Sequence, residues 1–108
     1  MNEPTTVINV ASGQLFHVYV GRANKSRGLP RSPWANPFLI GRDGDRAAVI
    51  AKYEQWLWTQ PRLRARLPEL RGKVLACWCR PRACHGDVLA RLADAAPVAS
   101  DQSSAVSS

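Results

Sequence analysis

The chain has 108 residues, 45% of them hydrophobic, with a formal net charge of +7 and a pI near 10.2. A chain of that size buries roughly 60–65% of its unfolded surface in one modest core, so a single domain over residues 1–96 is expected. No apolar run approaches the roughly 18 residues of a membrane span, and the opening residues lack the basic and apolar parts of a secretory leader, so a cytoplasmic, non-membrane setting follows.

Thr6 to Val10 is rich in β-branched residues and predicts a short strand, followed by turn chemistry at Ala11-Ser12-Gly13-Gln14. Leu15 to Val20 alternates, with Phe16, Val18 and Val20 on one face, and the two runs together predict an antiparallel hairpin. Gly21 to Pro37 is long and irregular, holding Gly28, Pro30 and Pro33 beside the basic group Arg22, Lys25, Arg27 and Arg31. A connection of that length in a small domain is commonly functional. Trp34 and Phe38 are expected to pin it to the core.

Asp43-Gly44-Asp45 predicts a helix start, with carboxylates at the positive end of the dipole. Val49, Ile50, Tyr53, Trp56 and Leu57 then recur at helical spacing to about Thr59, leaving Trp58 off the stripe. Pro61 suits the first turn of a second short helix carrying Leu63 and Leu67. Lys73 to Trp78 reads as a buried strand, and Val88, Leu89 and Leu92 mark a final helix from about Cys84 or His85 to Ala95. Residues 97–108 show no pattern able to bury a core, and a disordered tail is expected. The expected fold is therefore α/β: a small open mixed sheet, made of the N-terminal hairpin plus a parallel strand, packed with about three helices. A helical crossover between the second and third strands makes them parallel. Their C-terminal ends then share an edge, where open α/β sheets bind ligands.

That edge brings the basic loop after Gly21 against the most reactive stretch of the chain. All three cysteines, Cys77, Cys79 and Cys84, fall within eleven positions with His85 and Asp87. An odd cysteine count without an export signal fits reduced thiols. The leading reading is a cleft for a nucleotide or nucleic-acid phosphate. Gly21, Arg22, Lys25, Asn36, Cys79, Arg80 and Arg82 are its ligand-binding candidates, and the helix start at Cys84–Asp87 supplies N–H groups and a favourable dipole. An acidic protein face is a further partner that the positive charge would suit. A second reading is an enzyme in which Cys84 is the nucleophile and His85 or Asp87 carries the proton, acting on a nucleoside-like or acyl substrate. A third is an interaction module stapled by zinc on Cys77, Cys79, Cys84 and His85, although the spacing is not that of a zinc knuckle. Buried Cys77 and a capping Asp87 would also satisfy a purely structural account.

Five separated motifs carry a resemblance: Val7-Ile8-Asn9, Val18-Tyr19-Val20-Gly21-Arg22, Trp34-Ala35-Asn36-Pro37-Phe38, Ile40-Gly41-Arg42-Asp43-Gly44, and Cys77-Trp78-Cys79 with Cys84-His85-Gly86-Asp87-Val88-Leu89. In this order they resemble the small bacterial and phage family catalogued as domain of unknown function 4326. The resemblance covers roughly residues 6 to 95, departing where Ala35 stands for the family's usual Gly. It implies no reaction. It does imply that Gly21, Arg22, Asn36, Pro37, Cys79, Cys84, His85 and Asp87 belong to one site.

Overall fold

The structure is a computed structural model that describes residues 3–95. Three strands, β1 (Thr6–Asn9), β2 (Val18–Tyr19) and β3 (Val74–Cys77), form one sheet in the order β1-β3-β2. Three α-helices accompany it: α1 (Arg46–Trp58), α2 (Pro61–Arg66) and α3 (His85–Ala95). The α/β class and the helix count are those expected. The tail expected over 97–108 lies outside the described residues.

The strand pairing corrects the hairpin. β1 and β2 do not pair with each other; both run parallel to β3, which lies between them. The physical reason is apolar content. Leu75, Ala76 and Cys77 of β3 are all buried, and a run of that kind belongs at the centre of a parallel sheet. The half-buried β1 and β2 take the edges. After β1 the Asn9 side chain accepts the Ala11 N–H and starts a 3-10 turn over Val10–Ser12, which Gly13 closes with φ of 82°. The alternation at Leu15 to Val20 therefore does not make a full strand, and Leu15 is 93% exposed. His17 serves the sheet edge, its Nδ1 accepting the Val74 N–H.

The helices bury the stripes their spacing predicts. Asp45 caps α1 by accepting the Ala48 N–H, and Val49, Tyr53 and Leu57 turn inward. Pro61 opens α2, and a 3-10 turn over Leu67–Leu70 extends it to deliver buried Leu67 and Leu70. Val88, Leu89 and Ala93 are the buried face of α3. All of these but Val49 meet Val20, Trp34 and Leu75 in one core. Trp58 stays half in solvent, as its place off the stripe predicts. Among the described residues, no helix is long and apolar enough to cross a membrane.

Parallel pairing puts the C-terminal ends of all three strands on one edge. Gly21 and Arg22 leave β2 there, and Cys79 leaves β3.

Candidate functional site

At that edge lies a cleft of about 350 Å³ between the loop after Gly21 and the β3–α3 turn. Sites for small ligands commonly occupy clefts of about 300–1,000 Å³. Gly21, Arg22, Asn36, Phe38, Leu39 and Ile40 come from the loop, Arg46, Val49 and Ile50 from α1, and Trp78, Cys79, Ala83, Cys84 and His85 from the far wall. Of the ligand-binding candidates, Gly21, Arg22, Asn36 and Cys79 line the cleft. Lys25, Arg80 and Arg82 are not among its lining residues.

The loop wall is held by polar grips on backbone. Arg22 Nη2 donates to the carbonyls of Asn36 at 2.7 Å and Phe38 at 2.8 Å. Partial burial, with Arg31 and Arg42 nearby, draws the Arg22 pKa below its ordinary value. Asn36 is 8% exposed and fully engaged: its amide donates to the Val49 carbonyl and its oxygen accepts the Phe38 N–H. The Tyr53 hydroxyl donates to the Trp34 carbonyl at 2.8 Å, and desolvation of that buried phenol raises its pKa. Gly21 makes room for Tyr19, because a Cβ there would stand 2.6 Å from the Tyr19 hydroxyl oxygen and displace that ring. That hydroxyl also receives the Trp78 indole N–H, so the two walls touch.

The β3–α3 wall is built from buried residues. His85 is 9% exposed, with Nε2 at 2.7 Å from the Val20 carbonyl and its ring edge-on to Tyr53 at 4.8 Å. A carbonyl only accepts, so Nε2 carries the proton. Burial lowers the His85 pKa and keeps the ring neutral. Asp87 is also committed: one carboxylate oxygen accepts the Cys84 N–H at 3.0 Å and the other pairs with Arg80 at 2.7 Å. The carboxylate itself thus occupies the anion position at the start of α3. Arg80 further donates to the Val7 carbonyl, fixing the turn to β1.

The cysteines sit at graded depth. Cys77 is 1% and Cys84 2% exposed, with their sulfurs 3.1 Å apart, whereas Cys79 is half-buried on the cleft wall. Gly86 lets the helix start close over them, since a Cβ there would meet Cys84 Sγ at 3.2 Å. A hydrogen bond from Cys84 and the guanidinium of Arg46 draw the Cys79 thiol down to about 6 against the cost of its burial. The neighbouring Cys77 and Cys79 thiols, together with burial, push the Cys84 thiol well up. Arg46 reaches this corner from across the cleft, Nη1 donating to the Ala83 carbonyl at 3.0 Å.

Two sequence readings are changed by this geometry. The zinc set is not assembled: among the described residues, no group of three or more His, Cys, Asp and Glu is arranged to hold a metal. Nor do His85 and Asp87 attend the Cys84 thiol, because the side-chain hydrogen bonds of both end on backbone or on Arg80. Sequence reasoning missed Arg46, Ile40, Val49 and Ile50. A signal existed for Arg46, a cation in the first turn of a helix, where the dipole favours acids.

Residues 9–95 match the family described as Domain of unknown function (DUF4326), and the chain belongs to that family. An uncharacterized 12.4 kDa protein in the nrdA-td intergenic region of Enterobacteria phage T4 is 34% identical over 64 residues, covering 55% of this chain and 57% of the phage protein. The match thus spans little more than half the length of that relative. No solved structure matches.

Proposed function

As a member of this family, we propose, the protein binds a small anionic ligand of nucleotide type in the cleft between the loop after Gly21 and the β3–α3 turn. One observation carries the reading. Arg22 and Arg46 face the same cleft from opposite elements, each with one nitrogen on backbone carbonyls and, among the described residues, neither in an ion pair with a carboxylate. Guanidinium groups presented that way suit a phosphate. Phe38, Ile40 and Ile50 supply apolar surface for an attached base. The acid nearest the far wall, Asp87, is already paired with Arg80, which mutes its repulsion of an anion. The net charge of +7 adds attraction at longer range.

In this reading His85 and Asn36 shape the walls and do not touch the phosphate. Calorimetric titration with nucleoside mono- and diphosphates tests the reading. Arg22→Ala and Arg46→Ala should each weaken binding by about 10–100-fold, the worth of a charge-assisted hydrogen bond. Affinity should also fall as salt is raised. Unchanged affinity in both variants, or no binding by the parent protein, overturns it.

A further inference from the structure

We propose that the three cysteines form a relay for thiol–disulfide exchange, with Cys79 as the entry thiol in the cleft and Cys84 and Cys77 behind it. The substrate class is a small anionic disulfide, a choice that rests on the anion-binding reading of the same cleft. Depth orders the relay. Cys77 and Cys84 are only 1% and 2% exposed, whereas Cys79 is half-buried. The sulfurs of Cys77 and Cys84 stand 3.1 Å apart, so closing a bond of about 2.05 Å needs only about 1 Å of movement. Cys79 and Cys84 both line the cleft, and Cys79 is the half-buried one, so oxidising equivalents enter there. Cys84 joins the two ends of the relay, since its sulfur touches that of Cys77 and it lines the same cleft as Cys79. Arg46, at the Cys79 sulfur, favours a thiolate there.

The small disulfide is the oxidant, and no other co-reactant is needed. The Cys79 thiolate attacks one sulfur of RS–SR, the S–S bond breaks, and RS⁻ leaves with a mixed disulfide on Cys79. Cys84 gives up its proton to RS⁻ and attacks the Cys79 sulfur, expelling the second RS⁻ and forming Cys79–Cys84. Cys77 then attacks the Cys84 sulfur, its proton going to that second RS⁻. Cys77–Cys84 forms and Cys79 leaves as the thiolate. In sum, two protein thiols are oxidised and one small disulfide is reduced to two thiols. Cys79 is free again for the return exchange.

The test follows reduced full-length protein exposed to oxidised glutathione, or to the neutral hydroxyethyl disulfide, with timed alkylation and peptide mass analysis. The expected end product is Cys77–Cys84 with Cys79 alkylatable, reached through a mixed disulfide on Cys79. In Cys79→Ser, oxidation of the buried pair should slow by at least about tenfold. In Cys77→Ser the product should stop at Cys79–Cys84. Thermal melts identify any variant that fails to fold. Independently of every variant, alkylation of the reduced parent should modify Cys79 first. Buried thiols that oxidise equally fast without Cys79, or are alkylated before it, overturn the relay. The anion reading is separated by Arg22→Ala, which should slow oxidised glutathione more than the neutral disulfide. Equal rates for both disulfides in parent and variant would remove the anionic substrate and leave the relay standing.

Discussion

The two walls of the cleft are made differently. The β3–α3 wall is core: Cys77, Cys84, Val88 and Leu89 are buried, and its polar groups are satisfied within a few residues or against the sheet. The loop wall is a segment with little regular structure, attached by side chains that seize its carbonyls, Arg22 on Asn36 and Phe38 and Tyr53 on Trp34. Burial fixes the first, whereas the second is fixed by directional bonds around one buried anchor, Trp34. Changes at buried apolar positions of either wall should therefore act on global stability, and changes in the bonds that hold the loop on the local order of the cleft.

The sharpest attempt to break this contrast is Trp34→Ala, since Trp34 is the loop's own core residue at 2% exposure. It should cost about 3–5 kcal/mol in urea denaturation. A loss below about 1 kcal/mol would mean that the loop does not share the core at all. Asn36→Ala comes next, at about 1–3 kcal/mol, because it strips partners from the Phe38 N–H and the Val49 carbonyl. Faster proteolysis within residues 22–40, with an intact core, would sharpen the distinction; uniform unfolding would erase it. The smallest effect belongs to the buried wall. His85 is harder to protonate folded than unfolded, so the unfolded chain binds more protons as pH falls below the ordinary histidine range near 6.5. Its stabilisation is present above that range and should decline below it by at most about 1.4 kcal/mol per pH unit. Denaturation midpoints measured from pH 7.5 to 5 should show this slope, and His85→Gln should flatten it.

Where burial decides, the sequence was readable. The stripe Val49, Tyr53 and Leu57, the run Leu75–Cys77 and the pair Val88–Leu89 each carry a period, and the cleft edge follows from the β-α-β order. The sheet order was not readable, because two alternating segments close in sequence suggest pairing while the competition for the central place depends on a third strand far away. The roles of Asn36 and His85 were also hidden. Polar side chains beside a basic loop suggest ligand contacts, and only the fold reveals that their partners are the carbonyls of Val49 and Val20. Cys79 illustrates the middle case. Its place in the site was legible, while its depth relative to Cys84 required the turn between them.

The central position of β3 bears on how the chain folds as well as on where the cleft lies. β1 and β2 find no partner until β3 exists, with Thr6 pairing to Val74 and Val18 to Leu75. During synthesis the ribosome must release most of the described chain before any ladder bond of this sheet can close. Long-range strand pairing is slow and leaves edges open to aggregation while it waits. Nascent chains ending before residue 73 should therefore lack both the sheet and the cleft.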